Sequence, residues 1–318
     1  MSAGDRIAYG RANADEPSPE FTGERFVPGI AGDIEVEHVH RYMFARQFVR
    51  DRDVLDIASG EGYGCALLAD IARSVVGVDI DEQAVTHARD VHAHDNIRFE
   101  QGSCTSIPLD DDSVDVVLSY ETIEHITEHG AFVAEIRRVL RPGGLLVLST
   151  PDSEAYVEIS PEENPYHLRE LQRGEFIDLV SSAFEHARFG VQRCLTGSAM
   201  VPLDTESAMT TPEMFRLQTD ESIIETVGRL ADVGLFLVAI ASDGPLPPVE
   251  WSVLDDPGFG MPETVQLRHE HASMSGSIAE YEQALKSTLE ELHAVRRSLL
   301  VRVASKLGLV PGRSDGAT

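Results

Sequence analysis

Val54-Leu55-Asp56-Ile57-Ala58-Ser59-Gly60-Glu61-Gly62-Tyr63-Gly64 decides how the rest of the chain is read. An apolar run ends in an acid, and a glycine-rich turn then opens a predicted helix. That order describes a strand whose C-terminal end cradles a nucleotide-like ligand. Glycine lets the backbone approach closely, and a helix N-terminus offers free N–H groups to an anionic ligand group. A second apolar run, Ser74-Val75-Val76-Gly77-Val78-Asp79, again ends in an acid. A carboxylate there is placed to accept hydrogen bonds from both ribose hydroxyls. Taken alone, G-x-G-x-G also suits a dinucleotide enzyme.

Around this stretch strand and helix alternate. Strands are predicted over 53–57, 74–79, 97–101, 114–119 and 145–149, and helices over 35–50, 62–72, 81–92 and 130–140. The alternation predicts an α/β fold, a parallel sheet with helices on both faces. Another helix begins at Gly174-Glu175-Phe176 and runs to about Phe184. Strands near 188–195 and 235–241 are expected to complete the sheet as an antiparallel hairpin, with 204–234 between them long enough to cover a site as a lid.

Composition sets the outer boundaries. Residues 1–20 are rich in Pro, Asp and Ala and are expected to be disordered, and 21–50 should form an N-terminal arm and helix over the active site. The α/β core is expected over 51–243, and 244–262 has the Pro and Gly density of a linker. Residues 263–306 read as one long helix, followed by a disordered tail at 307–318. In that helix Met274, Tyr281, Thr288 and Val295 recur every seven residues, with Ile278, Leu285, Leu292 and Leu299 at the partner positions. The spacing suits a coiled coil that pairs two copies into a homodimer, or an amphipathic helix laid on the protein's own surface.

The 318 residues carry 26 basic and 54 acidic side chains, a formal net charge of −28. That sign opposes docking on nucleic acid or anionic membranes, and the basic residues form no large patch. Three cysteines, Cys65, Cys104 and Cys194, make no CxxC pair, so neither a disulfide framework nor a zinc site is indicated. The polar N-terminus lacks a hydrophobic signal core and no apolar run approaches membrane-spanning length. A cytoplasmic, soluble protein without membrane insertion is expected.

The acceptor of such a fold sits over the C-terminal strand ends. There the chain reads Ser119-Tyr120-Glu121-Thr122-Ile123-Glu124-His125-Ile126. In a helical turn Glu121, Glu124 and His125 would share one face. Converging, they make either a metal site or an acid–base cluster. Acids favoured by a helix dipole would account for one of them more readily than for all three.

The full set of motifs resembles a class I S-adenosylmethionine-dependent methyltransferase. A dinucleotide fingerprint would place a third glycine where Cys65 stands. Instead VLDIASGEGYG is followed by VVGVDID, by Gly102-Ser103-Cys104 ahead of Ile107-Pro108-Leu109, by the strand Val114–Leu118, and by Arg141-Pro142-Gly143-Gly144 before Leu145–Leu148. The likeness runs from about Thr22 to about Val180 and implies a Rossmann-like, seven-stranded, mostly parallel sheet. It implies that Gly60 and Gly62 lie under the methionine moiety, Asp79 holds the ribose and Ile80 packs on the adenine. Ser103 and Cys104 would meet the adenine edge, and Asp56, Ser59, Tyr120 and Tyr42 would complete the cofactor's surroundings. Tyr42, with His40 and Arg41, would touch the cofactor carboxylate or else anchor the first helix.

ETIEHI is similar to the Glu-x-x-Glu-His motif of small-RNA 2′-O-methyltransferases and of ubiquinone-pathway O-methyltransferases. In the RNA enzymes these side chains hold Mg²⁺ with a histidine from beyond strand five. The likeness therefore implies Glu121, Glu124, His125 and His167, the last within Asn164-Pro165-Tyr166-His167-Leu168-Arg169-Glu170-Leu171, as ligands of a divalent ion, Mg²⁺ or Mn²⁺. The competing assignment makes His125 a metal-free general base, with Glu124 beside it. Thr22-Gly23-Glu24-Arg25-Phe26-Val27-Pro28-Gly29 and NPYHLREL resemble bacterial methyltransferases of cell-surface glycans, which implies a sugar or glycan acceptor. Thr22, Glu24 and Arg25 would shape the acceptor pocket or simply pack. The expected activity is O-methylation of a sugar hydroxyl. The rivals are a catechol or quinone-precursor acceptor and a non-catalytic cofactor-binding scaffold, and the −28 charge disfavours an RNA acceptor.

Overall fold

The apolar runs of the sequence become the centre of a nine-stranded sheet. The structure, a computed structural model, describes residues 33–157, 164, 166–194, 197–203, 213–218 and 223–255. The chain divides into two units, Met1–Gly260 and Met261–Thr318, and the second lies wholly outside the described residues. So do Thr22, Glu24 and Arg25, both predicted disordered ends, the heptads of 263–306 and the last part of the expected linker.

The strands are β1 (Asp53–Ile57), β2 (Ser74–Asp79), β3 (Ile97–Gln101), β4 (Val114–Tyr120), β5 (Leu140–Pro151), β6 (His186–Cys194), β7 (Gly197–Pro202), β8 (Glu213–Gln218), β9 (Ile223–Arg229), β10 (Phe236–Ser242) and β11 (Val253–Asp255). The helices are α1 (Asp33–Val49), α2 (Tyr63–Leu68), α3 (Glu82–Val91), α4 (His129–Val139), α5 (Ser153–Val157) and α6 (Arg173–Ala183). The main sheet runs β11-β7-β6-β10-β5-β4-β1-β2-β3. Strands β1 to β5 are mutually parallel, and β10 enters antiparallel between β5 and β6.

Alternating side chains build two cores. Leu55, Ile57, Val76, Val78, Leu146 and Leu148 face one side with Phe132 and Ile136 of α4 and Phe176 and Val180 of α6. Val54, Val75, Leu145 and Val147 face the other with Phe44 and Phe48 of α1, Cys65 and Leu68 of α2 and Val85 of α3. Burial on both faces is why these strands are almost continuously apolar. Each large side chain so buried contributes about 1.5–3 kcal/mol.

Two elements depart from expectation. The sheet has nine strands rather than seven, because β7 pairs with β6 and β11 with β7. The stretch read as a linker from 244 is packed on the body as far as Asp255. Trp251 stacks on Phe44 at 5.6 Å, and Met200 N–H donates to the Ser252 carbonyl. Within 204–234, β8 and β9 pair as a separate antiparallel ribbon. Among the described residues no helix is long and apolar enough to cross a membrane.

The order β5-β4-β1-β2-β3 places consecutive connections on opposite sides of β1. Val54 pairs with Val75 on one side and Val116 on the other. In open α/β sheets the crevice beyond the carboxyl ends at such a switch point is where ligands bind.

Candidate active site

At the end of β1 the backbone turns through three left-handed residues, Ala58 (φ 61°), Gly60 (φ 55°) and Gly62 (φ 82°). A side chain on Gly62 would meet the Phe99 ring at 2.5 Å, and one on Gly64 would meet the Tyr42 ring at 2.0 Å. The turn is therefore compressed between neighbours as well as strained, and only glycine fits at position 62. Gly60 N–H donates to Asp79 Oδ2 at 2.8 Å, and Asp81 N–H donates to Asp79 Oδ1 at 2.9 Å. The carboxylate at the end of β2 thus ties together the two loops that follow β1 and β2. Asp81 also caps α3, accepting from Gln83 N–H at 2.9 Å.

These loops form one wall of a cavity of about 550 Å³, a volume suited to a nucleoside-sized ligand. Of the predicted cofactor residues, Tyr42, Ser59, Gly60, Asp79, Ile80, Ser103, Cys104 and Tyr120 line it. Ile80 is 72% exposed, an apolar shelf open to a planar ligand. Asp56 and Gly62 do not line the cavity. Gly62 packs under Phe99, and Asp56 lies behind the wall, where its Oδ2 accepts from Tyr42 Oη at 2.9 Å and from Cys65 Sγ at 3.4 Å. Burial pushes the Asp56 carboxyl up to about 7, those two hydrogen bonds opposing the shift.

Tyr42 stands edge-on to Tyr63 and Tyr120 at 5.4 and 5.2 Å. His40 and Arg41 resolve toward anchoring. The two ring nitrogens of His40 meet the hydroxyls of Ser198 and Ser252, and burial, reinforced by the Arg41 charge, lowers its pKa to about 4. Arg41 is buried, donates from Nε to Gln192 Oε1 at 2.8 Å and lies over the Phe236 ring. The cavity also includes His38, Tyr63 and Gln83, none assigned from sequence. Tyr63 directly follows the glycine turn, and that adjacency was the available signal.

The opposite wall begins where β4 ends. The expected helical face does not form. Glu121 adopts a left-handed backbone (φ 50°), and only Ile123–His125 make a single 3₁₀ turn. A non-glycine residue held there stores on the order of 1–3 kcal/mol of strain, a cost found mostly at functional sites. Glu121 Oε1 accepts from Ser149 Oγ at 2.7 Å and lies 3.5 Å from an Arg41 guanidinium nitrogen. Glu124 is 1% exposed; its Oε2 accepts from Thr150 Oγ1 at 3.0 Å, and its Oε1 has no hydrogen-bond partner among the described residues. Burial first, then the neighbouring Glu121 charge, raise the Glu124 pKa well above the usual carboxylate range.

The missing helix does not disperse the cluster. Glu124, His125 and His167 each offer a ligand atom, all within 4.8 Å of one another. The two imidazoles meet edge to face at 5.0 Å. Glu121 is outside this group but lines the cavity with His125 and Tyr166. The site is chemically suited to a cation, since a buried carboxylate oxygen without a donor is costly unless a proton or an ion meets it. Its donor set is two nitrogens and one oxygen, which suits Mn²⁺, Fe²⁺ or Zn²⁺ at least as well as Mg²⁺.

The chain is similar to known methyltransferases. Residues 55–148 match the family described as Methyltransferase domain. A protein of Mycolicibacterium smegmatis named as a probable S-adenosylmethionine-dependent methyltransferase is 41% identical over 177 residues, covering 54% of this chain and 67% of that one. A second of the same description, from Mycobacterium tuberculosis strain H37Rv, is 40% identical over 173 residues, 51% of this chain and 60% of its own. A ubiquinone biosynthesis O-methyltransferase of Bradyrhizobium is 36% identical over 127 residues, 38% of this chain and 49% of its own.

Proposed function

Because the chain belongs to the class I S-adenosylmethionine-dependent methyltransferases, we propose that it methylates a sugar hydroxyl of a glycan or glycoconjugate with the help of a divalent cation. The observation that carries this reading is the Glu124–His125–His167 cluster, joined through His125 to the cavity that Asp79 and Ile80 line.

Methyl transfer is an in-line displacement at a carbon already activated by the sulfonium, so the protein must align donor and acceptor and remove one proton. Asp79, Gly60 and Ile80 hold the donor. Ser103 and Cys104 border the adenine end, and Tyr42 and Tyr120 border the methyl end. Glu124, His125 and His167 face the acceptor, and Glu121 completes that wall. Glu124, His125 and His167 would hold a divalent cation, which would supply Lewis acidity to lower the pKa of the hydroxyl to be methylated. With the cation bound, the acidified proton leaves to solvent; without it, His125 is the group that accepts the proton. A vicinal diol answers the cation, and NPYHLREL, which supplies His167, resembles glycan methyltransferases. A catechol-type acceptor has one specific support, the likeness to the Bradyrhizobium O-methyltransferase.

The test is calorimetric titration of Mn²⁺ and Mg²⁺ into metal-stripped protein saturated with S-adenosylhomocysteine. Saturable binding, lost in His167→Ala, is the expected result. No binding to the wild-type protein discards the cation and leaves His125 as a metal-free base. Labelled methyl transfer to vicinal-diol glycans should vanish in the Glu124→Ala/His125→Ala double variant. Transfer that survives both changes removes the catalytic assignment.

A further inference from the structure

One short segment supplies contacts that orient both histidines. It carries His167 itself. Its Tyr166 carbonyl meets His125 Nδ1 at 3.0 Å, and its Leu168 and Arg169 amides donate to the Glu124 carbonyl at 2.8 and 3.1 Å. Three residues after His167, Glu170 places Oε1 2.5 Å from His167 Nδ1.

The acceptors determine where the ring protons sit. A carbonyl oxygen and an ionised carboxylate only accept, so in the neutral rings Nδ1 carries the hydrogen and Nε2 the lone pair. Both histidines therefore have the same polarity, with Nδ1 spent on orientation. The His167 side chain is 10% exposed and that of Glu170 is 25% exposed. As an ion pair near the surface the contact would be worth little for stability. Its value lies in what it does to the ring.

We infer that Glu170 is a positioning residue of the cation site, holding His167 in the Nδ1-protonated form so that Nε2 is presented beside Glu124 and His125. This rests on the cation site proposed above. Removing the carboxylate releases the ring to rotate and to place its hydrogen on Nε2, a form that cannot ligate through Nε2 and must be reoriented to bind through Nδ1. Partners of this kind typically set metal affinity by about 10–100-fold.

Two readouts on the full chain test it, with thermal melts confirming that each variant folds. Nitrogen-15 NMR of histidine-labelled, metal-free protein, at a pH where the rings are neutral, reports which nitrogen of His167 bears the hydrogen; the loss of its signals in His167→Ala assigns them. Calorimetry reports Mn²⁺ affinity. The wild-type and Glu170→Gln proteins should both show Nδ1–H, since glutamine keeps an acceptor of the same shape. Glu170→Ala should show Nε2–H or a mixture and lose about 10–100-fold in Mn²⁺ affinity, most of which Glu170→Gln retains. A wild-type ring protonated at Nε2, or a Glu170→Ala protein that binds Mn²⁺ as the wild type does, overturns the inference. Failure of the wild-type protein to bind Mn²⁺ instead overturns the cation site, and with it the ligand role of His167.

Discussion

The cofactor wall and the acceptor wall each have one buried carboxylate behind them, Asp56 and Glu124, both 1% exposed and both raised in pKa chiefly by burial. The fold treats them differently. Asp56 accepts from Tyr42 and Cys65 and lies behind the cavity wall. Glu124 accepts from Thr150 on one oxygen only, and its other oxygen meets no donor among the described residues. A raised pKa is common to a satisfied structural acid and an unsatisfied functional one, so it does not separate them. The orphaned oxygen does, together with two imidazoles within ligand distance. On this comparison Asp56 belongs to the packing behind the cavity wall, and Glu124 is the acid to which we assign the acceptor chemistry.

The largest effect should come from the acceptor wall. His125→Ala is expected to lower the methyl-transfer rate by about 10²–10⁴-fold, the range for loss of a general base or an equivalent ligand. S-adenosylhomocysteine affinity, measured by calorimetry, should stay at the wild-type value, because Asp79 and Gly60 are tied to each other and not to His125. A parallel fall in rate and cofactor affinity would show that the two walls form a single unit.

Asp56 offers a second test, with pH as the variable. Its folded pKa of about 7 lies above an unfolded value near 3.8. Well below pH 3.8 both states are protonated and the group contributes no difference. As pH rises toward 7 the unfolded chain releases the proton while the folded one keeps it, so stability falls. The full difference, about 3 pKa units, is on the order of 4 kcal/mol. Asp53 and Asp115, whose pKa values are lowered, shift stability in the opposite direction, so the wild type must be compared with Asp56→Asn across the same range. Denaturant melts should show the variant gaining on the wild type from pH 4 to pH 8. Parallel profiles would mean that Asp56 is not the buried acid the geometry makes it.

The two walls were also unequally legible in the sequence. The cofactor wall is local. Its glycines, its two strand-end acids and Ile80 are read within about thirty residues, and strands buried on both faces announce themselves as apolar runs. What was not legible there was tertiary. That Gly62 answers to Phe99, and Asp56 to Tyr42 and Cys65, depends on packing across helices. The acceptor wall is non-local. Glu121, Glu124 and His125 could be named, but the left-handed backbone of Glu121 and the partners Ser149 and Thr150 come from β5, twenty-six or more residues later. A helical period could not reveal a 3₁₀ turn. The extra strands escaped for a different reason: Gly-Ser-Ala-Met-Val-Pro of β7 is short and ends in proline, and β11 lies in a Pro-rich stretch.

The smallest expected effect sharpens the cofactor wall. Ile80 is 72% exposed yet lines the cavity, so the fold gains little from it and a ligand could gain more. Truncation by Ile80→Ala removes apolar surface that only a bound adenine would cover. The loss should be about 1 kcal/mol of binding free energy, or about fivefold in the Kd for S-adenosylhomocysteine. Because the side chain is already in solvent, the melting midpoint should not move. A drop in both would place Ile80 in the core of a wall that reorganises when empty. Unchanged affinity with unchanged stability would move the adenine toward Ser103 and Cys104, and the shelf at the end of β2 would then have to serve the acceptor.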